Sequence, residues 1–183
     1  MEEEFGDGLE VEWRSFLLRP RPGEERDLEA FVRYTQSWLR PAAEPDAPCF
    51  RVWESSEGPP SHSLPPHLVA KAAASLGRDS FRAIHERLMR AYFGENRDIT
   101  AAATLRAIWS EAGLPESEFA RSEAPALREK ILGEHSEAIA LGVTGVPASG
   151  VAGSRVYILG AHSVELYRRW IQRLQSGELA QGG

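Results

Sequence analysis

The sequence predicts an α/β fold. A segment near the start alternates apolar and polar residues with period two, whereas most of the remaining chain carries apolar residues at helical spacing. In addition, two β-rich pieces lie on either side of a glycine-containing turn late in the chain, which predicts a hairpin. The predicted order is therefore a strand, a helix, a cluster of helices, a hairpin and a last helix.

Length and charge exclude several classes of protein. The chain has 183 residues, so one domain is expected. Its 21 lysines and arginines against 27 aspartates and glutamates give a net charge of −6, which disfavours nucleic acid and anionic membranes as partners. No apolar run reaches the roughly 20 residues that span a bilayer, and the acidic start is unlike a signal peptide. We expect a cytoplasmic protein.

The first half of the chain contains one predicted strand and one predicted helix. Leu9–Leu18 is the strand with period two, and it ends at a run of prolines and glycine. Apolar residues of Leu28–Leu39 fall on one helical face, and this helix is predicted to stop before Pro41. Residues 41–66 form a long surface connection with one apolar piece, Cys49–Trp53.

The second half begins with a helical cluster. Its apolar stripes are Leu68–Leu76, Phe81–Tyr92, Leu105–Trp109 and Leu127–Leu141. Thr100 is the predicted N-cap of the third helix, and the fourth is predicted to end at Gly142. The β-rich pieces of the hairpin are Val143–Pro147 and Val151–Gly160, and Ser163 is placed to cap the last helix.

Cys49 is the one cysteine of the chain. A single thiol cannot form an internal disulfide, a CxxC redox pair or a cysteine-based zinc site. Because Cys49 lies in the connection and not at a helix start, we interpret it as a small hydrophobic residue that packs. A redox-responsive or glutathionylated thiol is the alternative.

The most informative motif is Gly142-Val143-Thr144-Gly145-Val146-Pro147, between a long helix and the hairpin. This order of elements resembles the second half of a thioredoxin fold. More closely, it resembles the DsbA-like group that includes FrnE-type oxidoreductases, 2-hydroxychromene-2-carboxylate isomerases and kappa-class glutathione transferases. Val11–Pro20 is similar to the second strand of that family, Ala70–Ile99 to its helical insertion, and Gly160-Ala161-His162 to the exit from its last strand.

The resemblance covers nearly the whole chain and implies its organisation. Residues 1–183 are expected to form a single DsbA-like domain. Its thioredoxin-like core would comprise 1–40 and 143–183, with a helical insertion at 65–142. The tripeptide Ala148-Ser149-Gly150 departs from the β-former and aromatic residue of the family, so we expect an irregular hairpin.

The resemblance also implies a site. In thioredoxin-like proteins the bond before this proline is cis, and the implied substrate-binding residues are Thr144, Gly145, Val146 and Pro147. Val146 would pair its N–H and C=O with an extended peptide or with glutathione, as an added strand does. The implied partners are therefore protein thiols and disulfides, or glutathione.

The family nucleophile maps to no residue of this sequence. The family places a CxxC, or a serine-containing variant, at a helix start before the strand that Val11–Pro20 resembles, whereas no Cys, Ser or Thr precedes Ser15. We therefore expect an N-terminally truncated relative that lacks a βα step of about 30 residues and a central strand. Three explanations stay open: an internal methionine taken as the start (favoured), a gap filled by another element or by a partner chain such as a homodimer, or a rearranged sheet.

The leading expectation is a DsbA-family thiol-disulfide oxidoreductase-like protein that lacks the catalytic CxxC and is inactive in disulfide reduction on its own. The alternatives are a glutathione-dependent isomerase- or transferase-like enzyme and a non-catalytic peptide-binding thioredoxin-fold domain. No cofactor is expected, and no metal, because the histidines lack the spacing of a ligand set. Ser61-His62-Ser63 is interpreted as polar loop residues that cap the next helix, and His85 as a hydrogen-bonded core residue.

Overall fold

The computed structural model describes residues 2–23, 27–43, 49–56, 58–153 and 157–176. Within these residues, helices and one antiparallel hairpin confirm the predicted α/β class. The α-helices are α1 (Glu2–Phe5), α2 (Leu28–Thr35), α3 (Leu39–Ala42), α4 (Leu64–Ala74), α5 (Arg78–Met89), α6 (Ala102–Glu111), α7 (Pro125–Ala140) and α8 (Val164–Gln175). The strands are β1 (Ala148–Gly150) and β2 (Tyr157–Leu159).

The chain divides into two compact units. We call Met1–Arg14 with Glu137–Gly183 the terminal unit, and Ser15–Ser136 the central unit. No helix among the described residues is both long enough and apolar enough to cross a membrane.

The main core of the central unit lies among α4, α5, α6 and the 3-10 segment Glu116–Glu123. Its buried members are Val69, Ala72, Ala73, Ile84, Leu88, Ala91, Leu105, Ile108, Trp109 and Phe119. Ala72 and Ala73 are fully buried, and their small side chains let neighbouring elements pack closely against α4. The predicted apolar stripes of α4, α5 and α6 thus face a common core.

A second, aromatic cluster holds the connection that follows α3. Trp53 is only 1% exposed and packs edge-to-face on Phe31 with a centroid distance of 5.2 Å. Its backbone N–H donates to Thr35 Oγ1 at 3.0 Å. The next residue, Glu54, donates its N–H to Asn96 Oδ1 at 2.9 Å. The apolar piece Cys49–Trp53 of the predicted surface connection therefore reaches the core through Trp53, with Phe50 half-buried beside it.

Two helix ends differ from the prediction. Pro41 lies within α3, at its third residue, so the helical run that begins with α2 and continues through a 3-10 segment extends past the proline. Thr100 is not the N-cap of α6. Its N–H and Oγ1 both donate to Asp98 Oδ1, at 2.8 and 2.6 Å, and Ala101 occupies the cap position. Thr100 is therefore part of a turn that the Asp98 side chain closes, and its hydroxyl is not available to cap α6.

The predicted strand Leu9–Leu18 is wrong as a strand, because no described segment pairs with it. Residues 9–17 run without helix, turn or bend. The N–H of Ser15 donates to Glu134 Oε2 at 2.7 Å, and that of Leu17 to His135 Nδ1 at 3.2 Å. Side chains of α7 thus accept the hydrogen bonds that a neighbouring strand would accept.

A hairpin is present, as predicted, but the predicted first piece Val143–Pro147 is not a strand: β1 lies after it, at Ala148–Gly150. Ala148 pairs with Leu159, and Gly150 with Tyr157. Residues 143–147 precede the strand because Val143 closes the end of α7: its N–H donates to Ala138 O at 3.0 Å, next to Gly142 with a φ of +82°. The predicted end of α7 at Gly142 is correct.

A buried ion pair joins α4 to α7 in the central unit. Lys71 Nζ donates to Glu134 Oε1 at 2.8 Å, and the side chains are 12% and 6% exposed. Burial of Glu134 opposes its ionisation, but hydrogen bonds from Lys71 and from the Ser15 N–H outweigh burial and lower its pKa. Glu134 is therefore a charged residue in the folded protein at neutral pH.

We expect Glu134→Gln to lower the free energy of unfolding by about 3–5 kcal/mol, because a buried Lys71 would face a neutral amide. Glu137→Gln is the matched control on the same helix. Its exposed pair with Arg14 should contribute less than about 1 kcal/mol. Urea unfolding of both variants measures the difference, and equal losses would contradict the assigned role of the Lys71–Glu134 pair.

Candidate functional site

The loop Thr144–Pro147 lies in the terminal unit between α7 and β1. Thr144, Val146 and Pro147 are exposed, and Gly145 is half-buried. The loop is fixed at its start by the hydrogen bond from Val143 N–H to α7. At its end, Gly160 N–H donates to Pro147 O at 2.8 Å. The peptide bond between Val146 and Pro147 is cis.

Val146 is the open position of this loop. Its side chain is 51% exposed, and among the described residues neither its N–H nor its C=O has a hydrogen-bond partner. In the described part of the chain, β1 pairs with β2 alone, so the other edge of β1 has no partner strand. Such an edge can accept an extended chain.

The hairpin beside the loop depends on a close approach at Gly150. A Cβ placed on Gly150 would overlap the ring of Tyr157, its partner across the hairpin. The small residue thus lets the tyrosine ring cross over the opposite strand. This contact accounts for a glycine at a position where a β-former was expected.

Cys49 lies in the central unit and is exposed. The interpretation of Cys49 as a packed small hydrophobe is therefore wrong. A Cβ built on Gly94 would lie 3.1 Å from the Cys49 carbonyl oxygen and 3.8 Å from its Sγ, so one side of Cys49 lies against Gly94 while the residue as a whole is exposed. The sequence could not show this, because it does not specify which side of the segment meets the core.

A model of the DSBA-like thioredoxin domain family matches residues 2–172. The chain belongs to this family. The match confirms the family that the loop motif and the order of elements predicted. The comparison with curated proteins found no match.

Solved structures show the same fold. A protein from Nitrosomonas europaea, provisionally described as a protein disulfide isomerase, is 18% identical with a TM-score of 0.71, over 89% of this chain and 80% of that one. The cytosolic disulfide reductase DsbM from Pseudomonas aeruginosa is 20% identical with a TM-score of 0.62, over 87% of this chain and 82% of that one. The predicted thioredoxin-like fold is thereby confirmed.

The histidines of this DSBA-like chain lie in different settings. Burial, and next the charge of Lys71, lower the pKa of His67 to about 4. Burial also lowers the pKa of His85, which stacks on Phe81 at 5.5 Å. His162 is exposed, with Nε2 2.9 Å from Leu159 O. Among the described residues, no group of three or more histidine, cysteine or acidic side chains could hold a metal.

Ser61 and His62 are hydrogen-bonded to each other, with Oγ and Nδ1 2.8 Å apart. Ser63 occupies the N-cap position of α4, but its side chain makes no capping bond. Its Oγ instead accepts from the N–H of Arg19 at 3.0 Å. The predicted capping role is therefore wrong: the Ser63 hydroxyl binds the backbone N–H of Arg19 and not an N–H of α4.

The sequence analysis did not predict the ion pair between Lys71 and Glu134. A signal for it exists: Glu134 is three residues after Ile131, which is fully buried, so both side chains lie on the core face of α7. A lone acid on a core face calls for a buried cation or backbone donors, and the chain supplies both.

We expect Gly150→Ala to lower the free energy of unfolding by about 1–3 kcal/mol, because the Tyr157 ring must move away from the new methyl group. The control is Gly145→Ala in the same unit, where a Cβ would meet nothing within 4 Å and no positive φ is imposed. Thermal unfolding compares the two, and a harmless Gly150→Ala would show that the ring is free to turn aside.

The depressed pKa of His67 predicts a pH-dependent stability. The unfolded chain takes up a proton on this residue near its ordinary pKa of 6.5, whereas the folded chain does so only near 4. Stability should therefore fall as the pH drops through this window, by about 3 kcal/mol at most. His67→Gln should flatten the urea-unfolding profile between pH 7 and 4.5, while His162→Gln should leave it unchanged. An unaltered slope in His67→Gln would refute the assignment.

Proposed function

We propose that this chain is a FrnE-type, DsbA-like protein that binds extended thiol- or disulfide-containing polypeptides at Val146 and does not itself reduce disulfides. The carrying observation is that Val146 is exposed and its two peptide groups lack partners among the described residues. Because the loop is fixed on both sides of Val146, this opening is held in place before any ligand arrives.

The binding mode is strand addition. An extended peptide would exchange two backbone hydrogen bonds with Val146, since its N–H donates and its C=O accepts. Gly145 leaves room for the incoming backbone, because a Cβ there would meet no other atom within 4 Å. Thr144 and Pro147 are exposed on either side and supply a polar and an apolar contact.

The electron balance of disulfide reduction explains why binding is proposed without turnover. A thiolate attacks one sulfur of a disulfide, forms a mixed disulfide and releases one thiol. A second thiol must then attack the mixed disulfide, which releases the other thiol and leaves an oxidised pair. Cys49 is the one cysteine of this sequence, so the second step needs a thiol from another molecule.

We place this activity in the cytoplasm. The chain would form a single domain, with a thioredoxin-like core at 1–40 and 143–183 and a helical insertion at 65–142. A cytosolic reductase is among the proteins of similar fold. The acidic net charge of −6 favours polypeptide partners over nucleic acid. Glutathione, whose cysteine also carries an N–H and a C=O, is a smaller ligand that the same two groups of Val146 can accept. A homodimer is a further proposed assembly.

The binding experiment uses a fluorescein-labelled, carboxymethylated insulin B chain as the extended probe, followed by fluorescence anisotropy. Val146→Pro removes the N–H donor and should weaken binding about fivefold or more. Val146→Ala keeps both peptide groups, so its affinity should stay within about twofold. Glutathione added as a competitor shows whether it shares the site.

Insulin reduction by dithiothreitol provides the second arm. Dithiothreitol can supply the second thiol, but the chain should not accelerate the reaction, because Cys49 does not lie at a helix start, where a thiolate is stabilised. Equal loss of affinity in both Val146 variants would mean that side-chain contacts, not backbone pairing, hold the probe. Acceleration that Cys49→Ala abolishes would assign chemistry to Cys49 and overturn the proposal of binding without turnover.

A further inference from the structure

A cavity of about 290 Å³ lies in the terminal unit, between the hairpin and α8. It is lined by Ile158 of β2 and by Leu166, Arg169, Trp170 and Arg173 of α8. The four helix residues have the spacing i, i+3, i+4 and i+7, so they lie on one face of α8. The Val146 loop contributes none of the described residues that line this cavity.

The opposite face of α8 contacts the start of the chain. Arg168 Nε donates to Glu4 Oε1 at 2.6 Å, and Gln175 Nε2 donates to Gly8 O at 3.0 Å. Because successive helical residues are about 100° apart, Arg168 and Gln175 project away from the cavity face. The start of the chain therefore lies on the other side of α8 and does not line the cavity.

Two donor groups at the cavity have no acceptor among the described residues. Arg169 is exposed and makes no ion pair or hydrogen bond with them, and the indole N–H of Trp170 is unpaired although this residue is half-buried. Indole N–H groups that leave water usually find a partner. Arg173 has an interaction of its own, and it adds a second positive charge to the face. No acidic side chain of the described residues lines the cavity, so its wall does not repel an anion.

The remainder of the cavity wall is apolar. Ile158 and Leu166 are half-buried aliphatic residues, against which an alkyl chain can pack in any rotation about its axis. A planar ring would gain most from a pair of aromatic neighbours, but Trp170 is the one aromatic residue among the described residues that line the cavity. The volume of about 290 Å³ is at the low end for small-molecule sites, so the ligand must be compact.

We propose that this cavity binds a small alkyl carboxylate, with the carboxylate on Arg169 and the alkyl chain against Ile158 and Leu166. A guanidinium can hold a carboxylate through two parallel charge-assisted hydrogen bonds, and the indole N–H of Trp170 offers a further donor. In a chain with a net charge of −6, two arginines on one helical face attract anions locally. This ligand differs from the polypeptide proposed for Val146, and the two sites share no residue.

Isothermal titration calorimetry of the full chain with octanoate tests this site. Arg169→Gln should weaken binding about tenfold or more, because the carboxylate loses a charged donor. Trp170→Phe keeps an aromatic ring without the N–H, and it should weaken binding about threefold. Arg168→Gln is the matched control: it removes the same charge from the opposite face of α8 and should leave the affinity within about twofold.

Several results would overturn the proposal. Equal affinity for octanamide, the neutral amide of the same chain, would show that no cation holds the ligand. Equal affinity for acetate would show that the apolar wall takes no part in binding. Absence of octanoate binding, or equal weakening by Arg168→Gln and Arg169→Gln, would also exclude the site. Val146→Pro should bind octanoate like the wild type, so this outcome is distinguishable from failure of the polypeptide site.

Discussion

The arrangement of the central unit depends on the hydrogen bonds that the Glu134 carboxylate accepts. One of its oxygens accepts from Lys71 on α4 and the other from the backbone of Ser15, so a single buried charge joins two elements to α7. A buried carboxylate without such donors would be strongly destabilising. Its neighbour His135 accepts the next available N–H, that of Leu17. Glu134 and His135 thus accept the hydrogen bonds that the carbonyl groups of a neighbouring strand would accept in a sheet.

This replacement explains why a segment with the pattern of a strand is not one. Period-two alternation specifies which side chains point inward, and Ser15 and Leu17 are indeed buried. It does not specify what the peptide groups bind. Here side chains of α7 accept the hydrogen bonds of two alternate N–H groups of the segment. The sequence pattern was correct for Leu17, but Val11 and Trp13 on the same predicted face are 37% and 53% exposed, and the pattern was wrong about the hydrogen bonds.

Local signals predicted most of the other elements. Gly142 ends α7 in the left-handed conformation, and the apolar stripes of α4, α5 and α6 face a common core as their spacing indicates. The errors come from competition between local groups: Asp98 takes the hydroxyl of Thr100, and the backbone of Arg19 takes that of Ser63. Rules based on residue type predict that a serine or threonine before a helix binds a backbone N–H of that helix. They cannot predict that another group in the folded chain binds the same hydroxyl.

The candidate site was predictable in its position and less so in its chemistry. The motif around Pro147 places the loop, because a helix end and a hairpin on either side leave one short stretch of open backbone. What the loop can do follows from the rest of the chain. One thiol can begin an exchange with a disulfide, but a second thiol from another molecule must complete it, and that thiol, Cys49, is exposed in the other unit. The proposed recognition of extended backbone therefore rests on the open peptide groups of Val146 and not on the thiol.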